Sequence, residues 1–180
     1  MILKTQNIIL NNRPLKYVDE LFALMKEDNK WLSTWTLIPH PVIKKDVVKY
    51  YKEELKKKND LFVILNKEKE VMGIISLHKN IMQNNATVGY WMGLCFRNKG
   101  YMTEATEKVI EFGFKKCKLM RIEICAAVQN TPSLSVIKNN KLRYEGIRRM
   151  GTKNGLGQYC DLKVYSILQK EFMQGQKQSK

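Results

Sequence analysis

The spacing of apolar positions changes several times along the chain, and each change predicts an element. "NIIL" at 7–10 is a short strand. Over 14–28, Leu15, Val18, Leu21, Phe22 and Met25 recur at helical spacing. The aromatic stretch 29–41 closes on two prolines, which predicts a short helix running into a loop. Residues 44–58 alternate apolar and charged positions as a basic amphipathic helix does. "LFVILN" (61–66) and "EVMGIISLH" (70–78) flank the turn "KEKE" and predict a hairpin, followed by a strand at 86–94. Met102, Ala105, Val109 and Phe112 put a helix over 102–117, and "RIEICAAV" (121–128) is a strand. Thr131 and Pro132 open a short helix over 132–140, and two strands follow near 143–151 and 159–168.

This order predicts a mixed α/β (α+β) sheet in one domain spanning 1–180, with no internal repeat and no linker. The polar tail, about 172–180, is expected to fray.

Length and composition agree with one globular core, at 180 residues and 44% hydrophobic. No apolar run approaches the ~20 residues of a membrane span, and 1–12 does not read as a signal peptide. Cys95, Cys117, Cys125 and Cys160 form no C-x-x-C pair, so no metal site is expected. Reduced thiols in a cytoplasmic protein are the expectation. The formal net charge of +15 fits an anionic cofactor, an acidic protein partner or a lysine-covered surface. Nucleic acid is the weaker partner: "KGYMTEAT" opens as a base-stacking motif does but lacks the aromatic positions that follow.

The chemistry concentrates in "VGYWMGLCFRNKGYMTEAT", 88–106. A predicted strand runs through Arg97-Asn98-Lys99-Gly100-Tyr101-Met102 into a predicted helix. The first turn of a helix has free N–H groups and partial positive charge, which suits a phosphate. Gly100 permits an otherwise strained backbone, and Arg97 and Lys99 add charge to the rim. A tight connection with solvated cations is the plainer alternative. The segment is neither a P-loop nor a G-x-G-x-x-G fingerprint.

These residues resemble the signature of the GNAT acetyltransferases, and in particular the RimJ/RimL-like ribosomal-protein N-terminal acetyltransferases. Arg97, Gly100 and Met102 fill the pattern [QR]-x-x-G-x-[GA], with Met102 departing from its last position. "NTPSLSVIKNNKLRYEG" (130–146), "YCDLKVYSIL" (159–168) and "WLSTW" (31–35) are similar to other segments of that group, so the likeness spans nearly the whole chain. Two departures stand out. Lys141-Leu142 replaces Gly-Phe, which puts Lys141 in a conformation that glycine takes more easily. Thr152 falls near the place of an acidic residue of the reaction centre.

The resemblance implies the GNAT fold: a mostly antiparallel sheet flanked by helices, with a splayed central strand pair. It implies acetyl-CoA as cofactor and direct transfer of acetyl to an amine. The expected acceptor is a protein N-terminus, with a small-molecule amine or a non-catalytic acetyl-CoA-binding protein as alternatives. A homodimer is among the partners this allows. Backbone N–H groups of Arg97, Asn98, Lys99, Gly100, Tyr101 and Met102 would hold the pyrophosphate. Those near Met92, Gly93 and Leu94 would polarise the thioester carbonyl. Asn130 would bond the pantetheine arm, or cap its helix. Ser133 would sit near the CoA sulfur as a hydrogen-bond donor, or cap the same helix; Tyr101 and Tyr165 are weaker acid candidates. For the base, the strand 86–94 has no carboxylate, and His78 is the candidate. A loop histidine is its plainer reading. Asp161 reads as a turn or salt-bridge residue and Cys95 as packing.

Overall fold

A computed structural model describes the backbone of residues 1–178 and the side chains of 1–175. The strands are β1 (Ile2–Lys4), β2 (Ile9–Asn11), β3 (Asp60–Leu65), β4 (Val71–Asn80), β5 (Asn85–Met92), β6 (Arg121–Ala127), β7 (Arg143–Lys153) and β8 (Tyr159–Leu168). The helices are α1 (Val18–Glu27), α2 (Asn29–Trp35), α3 (Lys44–Lys56), α4 (Tyr101–Lys115), α5 (Thr131–Asn139) and α6 (Gln169–Gln178). The strands form one sheet in the order β1-β2-β3-β4-β5-β6-β8-β7.

Side chains alternate across a strand, so the sheet has two faces to cover. Phe62, Ile64, Ile75, Val88 and Ile122 lie on the face met by Met102, Ala105 and Val109 of α4 and Ile137 of α5. Leu61, Val63, Ile74 and Trp91 lie on the other, against Leu21 and Met25 of α1, Leu32 of α2, and Val47 and Tyr51 of α3. Being covered on both sides, β3 and β4 read as continuous apolar runs without alternation.

Three differences from the predicted elements have physical causes. The segment 14–28 splits into a single 3₁₀ turn at Pro14–Tyr17 and then α1, because proline favours a helix start. β1 is a three-residue edge strand, too short for periodicity to reveal. The tail expected to fray from about 172 is helical through Gln178, and Phe172 packs on Phe114 with ring centroids 5.2 Å apart. The final two positions of that tail, 179–180, lie outside the described residues. Lys141 has φ 57°, the conformation expected where glycine is absent.

All strand pairs are antiparallel except β5–β6, which is parallel over only three rows: Asn85, Ala86 and Thr87 opposite Arg121, Ile122 and Glu123. Beyond Thr87, β5 stays with β4 as far as Met92, while β6 stays with β8 as far as Ala127. The centre of the sheet therefore opens into a wedge.

Candidate functional site

The wedge is floored and walled by a cleft of about 1220 Å³. At its wide end β5 stops at Met92, a single 3₁₀ turn covers Leu94–Phe96, and α4 begins at Tyr101. Gly100 is the N-cap with φ +81°, a left-handed conformation that side chains rarely take. A Cβ built there would meet nothing within 4 Å, so the turn is open on the side a ligand would approach. Asn98, at φ 60°, makes the second left-handed step. The N–H of Glu104 bonds to the carbonyl of Gly100 at 3.1 Å, which leaves the N–H groups of Tyr101, Met102 and Thr103 without an intrahelical acceptor. Asn98, Lys99, Gly100, Tyr101, Met102 and Thr103 all line the cleft.

Arg97 departs from the expected rim role. Its side chain turns inward: Nη1 lies 2.7 Å from Asp28 Oδ2, Nε donates to the Met92 carbonyl at 2.9 Å, and the guanidinium stacks 3.6 Å over the Trp31 ring. Its N–H is taken by the Leu94 carbonyl at 3.3 Å. Arg97 thus ties the turn to α1 and α2, leaving Lys99 as the exposed cation there.

The strand edges follow from register. Gly93 N–H donates to the Met72 carbonyl at 2.8 Å, so it is not available to polarise a ligand as expected. Alternation along an antiparallel strand then turns the N–H groups of Met92 and Tyr90 away from β4, toward the wedge, while that of Val88 turns the same way and is spent on β6 in the last parallel rung, Thr87 opposite Glu123. Val128 N–H donates to the Asp161 carbonyl, which by the same rule aims the backbone of Cys125 and Ala127 at the wedge from β6. Two facing strand edges without a shared ladder are rare inside a fold, because buried backbone groups need partners. Leu94 is exposed at the rim.

On the α5 side, the Asn130 side chain accepts from Ser133 N–H at 3.2 Å and is the helix cap. Ser133 is therefore capped rather than capping, and its hydroxyl is free to face Tyr90, whose hydroxyl lies 2.9 Å from Ser133 Oγ. Burial pushes the Tyr90 phenol up to about 12, so it stays a neutral donor at physiological pH. Tyr90 was not singled out from the sequence. The signal was its period-2 register with Val88 and Met92, which puts it on the α4–α5 face of β5. Tyr165, half-buried, stands beside the exposed Tyr144 with ring centroids 5.2 Å apart and away from the cleft lining, while Tyr101 lines the cleft.

The opposite wall is aromatic and apolar: Trp31, Trp35, Leu37 and Ile38. The β7–β8 loop closes over it, with Gly155 N–H donating to the carbonyls of Ser33 and Thr36, both at 2.8 Å. Only glycine fits there, since a Cβ would run into the Ile38 carbonyl. Thr152 reaches this wall without a carboxylate beside it, and Asp161 instead accepts from Met150 N–H at 2.7 Å, bracing a bulge in β7. Cys95 is exposed outside the wedge, and Cys125, on its β6 side, has its thiol pushed up to about 12 by burial. Cys125 is therefore not an activated nucleophile.

His78 is not at a strand end. It pairs with Thr87 inside the β4–β5 ladder at the closed end of the wedge. Its Nδ1 lies 2.8 Å from Glu54 Oε2 and its Nε2 lies 2.8 Å from Ser76 Oγ. Glu54, on the buried face of α3 with Val47 and Tyr51, is the residue that a lysine-rich helix concealed. Burial would raise its carboxyl, but hydrogen bonds from Lys57 and Asn59 and the nearby His78 outweigh it and hold the group below the ordinary range. Among the described residues no three His, Cys, Asp or Glu side chains gather as a metal site, and no helix is long and apolar enough to cross a membrane.

"Putative ribosomal N-acetyltransferase YdaF" of Bacillus subtilis is 40% identical to this chain over 102 residues, 56% of this chain and 55% of that protein. "Probable N-acetyltransferase YjcK" of the same organism is 27% identical over 168 residues, 87% and 92% of the two chains. The chain spans 64% of each of two further Bacillus N-acetyltransferases, so several relatives are matched over little more than half their length. The structure of RimL, described as a ribosomal L7/L12 alpha-N-protein acetyltransferase in complex with coenzyme A, shares the fold. Its TM-score is 0.85 at 19% identity, covering 93% of this chain and 98% of that one. A GNAT-family acetyltransferase of Bacillus anthracis gives 0.80 at 25% identity, covering 95% and 100%. Residues 9–143 match the family described as the acetyltransferase (GNAT) domain. That match runs from β2 to the start of β7 and takes in the turn and both strands of the wedge, and the chain belongs to the GNAT acetyltransferase family.

Proposed function

We propose that this chain transfers the acetyl group of acetyl-CoA to an amine, the α-amine of a protein N-terminus in preference. The observation that carries the reading is the wedge between β5 and β6, opening beside the uncapped N–H groups of α4. The donor supplies an acetyl thioester and an anionic pyrophosphate. The residues present fit both. The turn from Asn98 to Met102 offers N–H donors and an open side at Gly100. Tyr90 and Met92 offer a strand edge to an amide-bearing arm, as an added strand would find. The Met92 N–H is the donor available near the thioester, since Gly93 N–H is already engaged. The Ser133–Tyr90 pair sits where a departing thiolate needs a proton, with Tyr90 neutral and Ser133 positioned by the Asn130 cap.

The acceptor preference rests on charge and on the wall. Among the described residues that line the cleft, Asp46 is the single carboxylate, against the cations Arg97 and Lys99, and the chain carries +15 overall. A polycationic acceptor would meet like charge. An α-amine, with a reference pKa of ~8 against ~10.4 for lysine, is partly nucleophilic at neutral pH. The names of the relatives point the same way. The test is a panel of acceptors (peptides, polyamines, aminoglycosides, amino acids) scored by release of free CoA thiol. Peptides with acidic downstream residues should react faster than basic ones, and salt should shrink the difference. A preference for spermidine that persists at high salt would overturn the acceptor class. Acetyl-CoA binding without thiol release on any acceptor would leave a non-catalytic binding protein.

A further inference from the structure

The closed end of the wedge holds a second set of polar groups. Ser76 and His78 line the main cleft. His78 also lines a separate polar cavity of about 400 Å³, walled by Asn59, Lys79, Asn80, Thr87, Glu123 and Arg148. Its ring is thus the partition between the cleft and an opening on the far side, and its side chain is 32% exposed. We propose that Ser76, His78 and Glu54 form a relay that takes the acceptor's proton off the amine within the cleft, a role that rests on the acetyl-transfer reading above.

The hydrogen bonds are satisfied in both protonation states. Glu54, an acceptor, requires a proton on His78 Nδ1. With the ring neutral, Nε2 then accepts, and the Ser76 hydroxyl donates to it at 2.8 Å. With the ring protonated, Nε2–H donates to Ser76 Oγ, and the hydroxyl turns to the Gly89 carbonyl 3.0 Å away. One hydroxyl rotation separates the states, and Nδ1–H stays on Glu54 throughout. Asn59 holds the assembly from both sides: its Nδ2 donates to Glu54 Oε2 at 2.8 Å and its Oδ1 accepts from Lys79 N–H at 2.9 Å.

In the step itself, an N–H bond of the acceptor ammonium breaks and the nitrogen keeps the electron pair. Its proton joins Ser76 Oγ as the Ser76 proton passes to His78 Nε2, giving an imidazolium opposite the Glu54 carboxylate. The Nε2 proton then returns through Ser76 to water that refills the cleft once the product has left, and the ring is back in its Nδ1–H state. Other charged and titratable groups face this ring as well. Tyr50 and Lys57 come from α3, Lys79 from β4 with its Asp60 partner, and Arg121, Glu123 and Arg148 from β6 and β7. Lys57 and Lys79 are each paired with a carboxylate, and Glu123 is shared by Arg121 and Arg148, so none of these is a competing free base.

The test combines kinetics with a spectroscopic reading. The kinetic arm uses a synthetic peptide with a free α-amine and acidic downstream residues as acceptor. His78→Gln should lower turnover about tenfold or more and flatten the acidic limb of the pH–rate profile, with acetyl-CoA affinity unchanged. His78→Ala should regain rate with added imidazole, which a purely structural histidine would not allow. Glu54→Gln should move the acidic limb to lower pH, because the imidazolium loses its partner. The second arm needs no variant to fold. With ¹⁵N-labelled histidine, the chain's two rings are His40 and His78. The neutral His78 ring should carry its proton on Nδ1, with Nε2 as the acceptor. A neutral Nε2–H ring would overturn the relay. So would a normal pH profile in His78→Gln, or an acetyl group found on Ser76. Failure of the unmodified chain to bind acetyl-CoA would sink the acetyl-transfer reading first, and the relay with it.

Discussion

At the scale of single residues, the turn and the Ser133–Tyr90 pair carry separable roles. Gly100→Glu projects a carboxylate into open space where a pyrophosphate is proposed to lie. The left-handed φ costs roughly 1 kcal/mol for any side chain, so Gly100→Ala is the control for strain. Gly100→Ala should keep most of the thermal stabilisation by acetyl-CoA and Gly100→Glu should lose it; equal shifts in the two would remove the phosphate role of the turn. Ser133→Ala and Tyr90→Phe should each lower kcat by about 10- to 100-fold while leaving acetyl-CoA affinity nearly unchanged. If the two hydroxyls work as one unit, the double variant should be little worse than either single one. Additive losses in steady-state kinetics would show independent roles.

At the scale of elements, Arg97 joins pieces that are 69 positions apart in sequence. The turn before α4 is held to α1 and α2 through Asp28 and Trp31, so the proposed phosphate end and the aromatic wall share one anchor. Arg97→Ala strands the Asp28 carboxylate, 20% exposed, beside an emptied slot. The expected cost is roughly 2 kcal/mol, below that of a fully buried pair because both partners keep some water. For a chain of this size that is a fall of about 4–8 °C in melting temperature, read by calorimetry. The KM for acetyl-CoA should rise as the turn loosens. A stable variant with unchanged KM would show that this anchor does not hold the turn.

At the scale of the molecule, acid should unfold this protein through its carboxylates. Glu54, Glu104, Glu111, Glu123 and Glu145 are all held below the ordinary range by hydrogen bonds and cations. Glu145 is the largest case, brought down to about 2 chiefly by its paired bonds from Arg121 and then by Ser166. A lowered folded-state value adds stability that is present above the unfolded value and lost as pH falls through the folded one. The melting temperature should therefore hold above pH ~5 and drop between about 4.5 and 2. Glu145→Gln should remove part of that drop, about 1 kcal/mol after screening at 38% exposure. An identical acid transition in the variant would show that the pair is inert.

Periodicity and turn chemistry alone fixed most of the elements, since hydrophobic spacing is a local property that burial then enforces. They put a helix over 102–117, where the structure has Tyr101–Lys115 behind Gly100, and the short helix opened by Thr131 and Pro132, while the conformation of Lys141 was legible only through the family resemblance. Side-chain direction needs the partner as well as the residue. Nothing near Arg97 in sequence says that it points at Asp28, and nothing near Gly93 says that its N–H belongs to Met72. Glu54 looked like one acid among lysines, and only the packing of α3 on the sheet puts its carboxylate on His78. The wedge itself is invisible locally: β5 and β6 each read as ordinary strands. Their divergence after Thr87 and Glu123 is decided by which outer neighbour each strand keeps, a choice made by the ladders to β4 and β8 across the whole sheet.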